Sequence, residues 1–254
     1  MIAPHTRTVA AMAAGARLQQ TLDRFFALQQ HGDDVRFRQR LQRLQTWQSE
    51  RLYQSHRDIL EQPETAPAVE FLFTDVYGGR DLKPVAENIR RALPKALKLL
   101  PDRVMLTSAT VLETAVLTQE LDEHLAAILQ AQLDQPLTAE VYAAAYRSQG
   151  REAERARQLT LVAEIGAQID RYVRSRMIQT TFRMVRRPAH AAGLGSLYDF
   201  LDHGFRAMRP LRSVDGLLRQ LAAREQLIMQ RLLAGSEAPF AAPFTEPLAP
   251  FTEH

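Results

Sequence analysis

Along this chain apolar residues recur three and four positions apart with almost no strict alternation, so the pattern predicts helices throughout and no sheet. Helix-breaking residues divide the pattern into segments. The first runs from about Thr6 to Gln30 and stops at His31-Gly32. Asp33 or Asp34 caps the second, whose apolar face is Phe37, Leu41, Leu44, Gln48, Leu52 and Ile59, with Pro63 and Pro67 ending it. A third carries Glu70 to Tyr77 and terminates at Gly78-Gly79. The fourth, capped by Asp81, is kinked or broken at Pro94 and stopped by Pro101. Asp102 opens an amphipathic helix reaching about Leu133, and Asp134-Gln135-Pro136 closes it. Thr138 caps a short helix bearing Tyr142 and Tyr146, with Gly150 at its turn. The longest segment, Glu152 to Val185, meets no breaker before Pro188. Two more follow, Ser196 to Met208 with Ser196 as cap, and Ser213 to Ala234. The expected fold is all-α: a single-domain bundle of about eight helices over residues 1–234, packed in antiparallel pairs through short loops.

From Gly235 the helical pattern disappears. Ala-Pro-Phe recurs at 238–240, 242–244 and 249–251, and Pro-Phe-Thr-Glu at 243–246 and 250–253. Prolines at 239, 243, 247 and 250 forbid a helix, so residues 235–254 are expected to form an extended or disordered tail. Its regularly placed Phe240, Phe244 and Phe251 suit a linear motif that offers apolar anchors to a protein partner, or a clamp on the domain's own surface.

Composition narrows the classes of function. With 254 residues and 46% hydrophobic content the chain buries a sizeable core without a metal or disulfide. The absence of cysteine removes disulfides, thiolate metal sites and cysteine nucleophiles together, and fits a reducing compartment. The one early apolar run, Val9 to Ala16, is too short for a secretory core and is closed by Arg17, and no stretch reaches the roughly 18 to 20 apolar residues of a membrane helix. A cytoplasmic protein without a membrane partner is the expectation. The net charge is only +3, but 29 of the 32 basic side chains are arginines, the lysines being Lys83, Lys95 and Lys98. Arginine suits forked pairing with carboxylate or phosphate, although a GC-rich genome produces the same bias without any function.

The segment FLFTDVYGGRD, Phe71 to Asp81, resembles the motif of the FFLEELY-motif proteins, a bacterial group without an assigned activity. Trp47-Gln48 with Arg51-Leu52, Asp58-Ile59-Leu60, Leu93-Pro94, Leu99-Leu100-Pro101 and Ala192-Gly193-Leu194 are similar as well, so the resemblance spans about Leu41 to Leu233 and omits the tail. Phe71 and Tyr77 keep the motif, but Thr74 replaces one of its two acidic positions. A catalytic carboxylate pair would not survive that loss, and neighbours on a helix point about 100° apart, so the motif reads as a packing element. Asp75 is placed to hold Arg80 or another arginine across the helix end.

Candidate chemistry is sparse. Glu120 with His124, and Asp199 with His203, stand four apart on a helix as two ligands of one metal must, and Glu70 and Glu113 complete the carboxylate–histidine set that helical bundles use to hold iron or manganese. With 29 acids and seven histidines, one or two such spacings arise by chance, and no cofactor is predicted. Gly193-Leu194-Gly195 lacks the strand and the lysine of a phosphate loop. His56 beside Asp58 suggests an acid–base pair but suits the polar face of the second helix. A basic stripe, Arg171, Arg174, Arg176, Arg183, Arg186 and Arg187, has Asp170 as the only acid between 165 and 198, and Arg206, Arg209 and Arg212 extend it if the next helix turns back alongside. Arg183, Arg186 and Arg187 are the candidates for binding an anion, whereas nucleic acid would want exposed aromatics or a recognition helix, and neither is recognised. The best reading is a non-enzymatic binding protein engaging a partner through its tail. A carboxylate–histidine metalloenzyme and an anion- or nucleic-acid-binding protein are the alternatives.

Overall fold

The computed structural model describes residues 4–28, 34–76, 86–92 and 102–244. Helices account for most of them, with no strand among the described residues. In chain order they are α1 (Pro4–Leu28), α2 (Val35–Ser55), α3 (Arg57–Leu60), α4 (Ala66–Phe71), a helical stretch over 86–92 (α5), α6 (Asp102–Leu129), α7 (Ala139–Ser148), α8 (Glu152–Arg174), α9 (Arg176–Met184), α10 (Arg186–Ala191), α11 (Gly195–Met208) and α12 (Val214–Leu233). The predicted stops at His31-Gly32 and Gly78-Gly79, the cap at Asp81 and the kink at Pro94 lie outside the described residues, as do Tyr77, Arg80 and Phe251.

Local signals explain most boundaries. Asp34 caps α2 by accepting from the Phe37 N–H at 2.9 Å, Thr138 accepts from Val141, and Ser213 caps α12 by accepting from Gly216 at 2.9 Å. Gly235, at φ +74°, ends α12 in the left-handed conformation and lets the Ser236 N–H reach the Arg231 carbonyl at 3.0 Å. Four expectations fail. The second helix breaks at His56 rather than continuing through Ile59, so α3 is a separate turn. Pro67 lies in the first turn of α4, where its missing N–H costs nothing, and so opens a helix instead of ending one. Ser196 is not a cap, because α11 already begins at Gly195. The long segment breaks at Ser175, whose extended backbone (φ −78°, ψ 107°) closes α8 and caps α9. There Arg174 Nη2 donates to the carbonyls of Leu211 and Arg212, and Asp170 Oδ1 accepts from the Val214 N–H at 2.8 Å. These bonds tie the end of α8 to the start of α12 and hold the break in place.

The long helices α6, α8 and α12 form the centre. Thr107 meets Gln168 while Gln158 meets Thr118, so α6 and α8 run antiparallel. Asp170 meets Val214 while Gly166 lies against Leu218, so α8 and α12 do too. At Gly166 the crossing is close: a Cβ there would stand 3.0 Å from Asp215 Cα and 3.2 Å from Leu218 Cβ. Helix α2 is antiparallel to α6, with Arg36 and Arg40 on Asp134 and Gln48 on Asp122. Helix α1 departs from the expected antiparallel pairing. Arg17 bonds Glu113 and Arg24 bonds Glu120, each 96 positions on, so α1 and α6 run parallel. That arrangement needs the long intervening connection, over which α2 to α5 are threaded.

Three large apolar clusters, and a small one of Leu117, Leu121 and Leu161 between α6 and α8, fill the bundle among the described residues. One joins α4, α8, α11 and the first half of α12 through Phe71, Phe73, Ile165, Val173, Met208, Leu217 and Leu221. A second joins α2, α6, α7 and the last half of α12 through Leu41, Leu44, Leu125, Leu129, Tyr142, Ile228 and Leu232. The third binds α1 to α5 and α6 through Leu22, Phe25, Ala86, Met105 and Val116. Full burial of each leucine, isoleucine, valine, phenylalanine or methionine among them contributes roughly 1.5 to 3 kcal/mol. Phe71 also packs on Phe200 (5.6 Å) and His203 (5.2 Å), and Gly204 makes room for its ring. The motif segment then continues as a π-helical turn, Leu72–Val76.

Candidate functional site

Between the first two clusters, at mid-length of α12 and the C-terminal end of α2, the interior turns polar. Arg51, with 11% of its side chain exposed, donates from Nη1 to both carboxylate oxygens of Glu225 at 2.6 Å. His56 is fully buried, and its Nε2 donates to Glu225 Oε1 at 2.9 Å. Burial alone would push the Glu225 carboxyl up, but the Arg51 charge, the His56 hydrogen bond and charge, and the Arg51 bond outweigh it and hold it at about 2. Beside them Arg224 forks onto Asp58 at 2.5 and 2.8 Å and donates to the Ser55 carbonyl. Asp58 is lowered by that bond. His56 is therefore buried rather than on a polar face, and Asp58, which is exposed, does not pair with it: each is bonded by a residue of α12.

The polar layer continues towards α6 and α8. Asp122, buried, accepts from Gln48 at 3.2 Å and Gln45 at 3.4 Å. Burial pushes its carboxyl up, against the Arg155 charge and those two bonds. Arg155 reaches Gln149 at 3.3 Å and lies 5.1 Å above the Tyr146 ring, whose hydroxyl burial also pushes up. Five polar atoms here, Ser49 Oγ, Arg51 Nε, Ser55 Oγ, His56 Nδ1 and Arg155 Nε, have no hydrogen-bond partner among the described residues. A layer of this kind is costlier than an apolar one of equal volume.

The outer wall of the layer is aromatic, and the chain's own tail lies on it. Trp47 of α2 packs on Tyr142 of α7 at 4.4 Å. Phe240 sits over both, at 6.0 Å from Trp47 and 6.1 Å from Tyr142, with the Arg51 guanidinium 5.5 Å from its ring. Pro239 before it is buried. Phe244 lies between two arginines of α12, 4.8 Å from Arg224 and 5.0 Å from Arg231. Arg231 also donates to the tail backbone, to the Ala241 carbonyl at 2.5 Å and the Pro243 carbonyl at 2.6 Å. Residues 235–244 are thus docked on the body, with two aromatic anchors four positions apart and an arginine holding the backbone between them.

The six metal candidates do not converge. Glu113 is bonded by Arg17 and Arg157, and Glu120 by Arg24 at 2.7 and 2.8 Å. With the exposed His124 they line a surface depression of about 850 Å³ whose wall also carries the acids Asp34, Glu123 and Glu154 and the arginines Arg24, Arg151 and Arg157. Glu70 is exposed on α4. Asp199 faces His190 at 3.1 Å, and His203 faces Asp75 at 3.5 Å, so this pair turns to different partners. Among the described residues no three histidine or acidic side chains form a group able to hold a metal ion; guanidinium groups occupy Glu113 and Glu120, and Asp199 and His203 turn apart. Asp75 is buried next to His203, and Phe71 is a core residue, while Tyr77 and Arg80 fall outside the described residues.

Of the arginine stripe, Arg174, Arg176, Arg183 and Arg209 line one concavity of about 410 Å³ with Gln179 and Thr180. Arg209 joins it as expected, whereas Arg206 pairs with Asp202 and Arg212 with Glu64. Arg186 and Arg187 lie exposed on the neighbouring α10. Glu225, Asp122, Arg155 and Arg224 were not singled out by sequence reasoning. The signal was present for Glu225, which stands in register with Leu221, Ile228 and Leu232 on the buried stripe of α12, and for Asp122, in register with Ala126 and Leu129.

No helix among the described residues is long and apolar enough to cross a membrane. No curated protein and no solved structure matches the chain. The profile of one family does, over residues 27–239, from the end of α1 to the proline before Phe240. That match covers most of the chain, which therefore belongs to the family described as Domain of unknown function (DUF8198).

Proposed function

We propose that this is a non-enzymatic binding protein, cytoplasmic in setting, whose seat between α2, α7 and α12 receives a proline–phenylalanine segment, its own residues 239–244 being the resident occupant. One observation carries the reading: Phe240 on Trp47, Tyr142 and Arg51, and Phe244 between Arg224 and Arg231, with Arg231 bonded to the carbonyls between them. Two side-chain anchors with main-chain bonds between them are how extended peptides are recognised. A segment tethered a few residues from its seat has a high effective concentration, so a partner must offer the same chemistry with more contacts, or several copies of it. The third Ala-Pro-Phe at 249–251 shows that the chain itself repeats the unit. The resemblance to FFLEELY-motif proteins supports the same reading, because Trp47, Gln48, Arg51 and Asp58, which help carry it, line or adjoin the seat.

Trp47 is the chain's single tryptophan, so its emission reports on the seat. In the full chain carrying Phe240→Ala and Phe244→Ala, a synthetic peptide of residues 238–245 is expected to shift and quench Trp47 emission saturably. The same peptide with both phenylalanines replaced by alanine is expected to do nothing. No saturable response to the unmodified peptide, in a variant whose circular dichroism matches the parent, overturns the proposal.

A further inference from the structure

The seat for the tail makes no use of α9. None of its nine residues is buried. Phe182 turns inward, stacked on Tyr198 at 4.5 Å and set edge-on to Phe205 at 5.0 Å. At about 100° per residue, Met177 and Met184 then fall on the opposite side of the helix, and Arg176, Thr180 and Arg183 along the adjoining line. Their exposure agrees, 70% for Met177 and 73% for Met184, with Val185 following at 42%. Large apolar side chains at that exposure, one heptad apart and framed by arginines, are the pattern of a helix lying in an interface.

The charge around them is one-sided. The concavity lined by Arg174, Arg176, Arg183 and Arg209 has no carboxylate in its wall. Arg174 is engaged with Asp170, but among the described residues Arg171, Arg176, Arg183, Arg186, Arg187 and Arg209 form no ion pair. Elsewhere the protein pairs its arginines with carboxylates readily, at Arg17, Arg24, Arg36, Arg40, Arg51 and Arg224. A nucleic acid would meet the arginines and leave both methionines in water, and the aromatic ring of α9 faces inward where no base can stack on it. A phospholipid surface satisfies both halves of the face at once: phosphates against the guanidinium groups, methionines at the level of the upper acyl chains.

We propose that α9 docks this protein on an anionic membrane surface, with Arg176, Arg183, Arg186, Arg187 and Arg209 on lipid phosphates and Met177 and Met184 inserted between the headgroups. The break at Ser175 is what permits it, because its extended backbone takes the stripe off the axis of α8.

The test is co-sedimentation of the full chain with vesicles of phosphatidylcholine alone and with roughly one-third phosphatidylglycerol, at low and high salt. Binding is expected only to the anionic vesicles, and is weakened about tenfold or more by Arg183→Glu with Arg187→Glu. Met177→Ser with Met184→Ser is expected to weaken it severalfold while leaving retention on a DNA oligonucleotide column unchanged. All four positions are exposed, so the variants keep the parent's unfolding temperature. Failure to bind anionic vesicles overturns the proposal. So does vesicle binding that is indifferent to the methionines and matched by DNA retention, which assigns the face to nucleic acid.

Discussion

Glu225→Gln isolates the buried ion pair that joins α2 to α12. Gln keeps the volume and an oxygen to accept from His56, but removes the charge that faces Arg51, whose side chain is 11% exposed. The size of the effect follows from linkage. Glu225 is held at about 2 against an ordinary 4.5, burial opposing and Arg51 then His56 prevailing, so its ionised form is favoured in the folded protein by about 3 kcal/mol. Measured losses on removing one member of a buried pair, about 3 to 5 kcal/mol, agree. Because the folded value lies below the unfolded one, the unfolded chain binds the extra proton between about pH 4.5 and pH 2. The stabilisation is complete above that window and is lost as pH falls through it. Urea unfolding followed by circular dichroism and Trp47 emission is expected to show the variant about 3 kcal/mol less stable at pH 7. The difference from the parent should shrink towards zero near pH 2. A deficit under about 1 kcal/mol at pH 7, or one that does not change with acidification, refutes the reasoning. Arg51→Met combined with Glu225→Leu should recover most of the loss, since the pair then leaves no uncompensated charge.

Phe240→Ala should cost about 1 to 2 kcal/mol, because the ring is half-buried, and should red-shift Trp47 emission and open residues 235–244 to limited proteolysis. At Gly166, Ala is expected to lower stability by about 1 to 2 kcal/mol although Ala is the better helix former, since the new methyl meets the α12 backbone at 3.0 Å; a rise in melting temperature would contradict that packing. Ser213→Ala removes the cap on α12 and should cost about 1 kcal/mol in thermal unfolding, with Ser213→Gly or Ser213→Asp costing less.

Helix identity was legible because its causes are local. The three- and four-residue spacing of Leu41 and Leu44, the caps at Asp34, Thr138 and Ser213, and the stop at Gly235 all act within a turn or two of chain. The all-α class follows from them. Ser175 escaped notice because Arg174 reaches the carbonyls of Leu211 and Arg212, 37 and 38 positions away, and that contact sets the break. The site was less legible still. Trp47, Gln48 and Arg51 drew attention through the family resemblance, yet nothing near them in sequence points to Glu225, 174 positions beyond Arg51. His56 looked like a surface residue because a histidine beside an aspartate is common on polar faces, and only its zero exposure and its bond to Glu225 reveal otherwise.

By itself the sequence determined that the described residues are helical rather than sheet-forming, that the tail departs from helical logic after Ala234, and that arginine carries nearly all of the positive charge. Each is a property of composition or of hydrogen bonds that close four residues apart. The tertiary structure alone decided that α1 and α6 run parallel, that Glu113 and Glu120 serve arginines rather than a metal, and that Phe240 and Phe244 rest on the chain's own body. Those outcomes turn on which of many chemically equivalent partners meet, and on how much water each loses when they do, and both are set by positions about a hundred or more residues apart as well as by near ones.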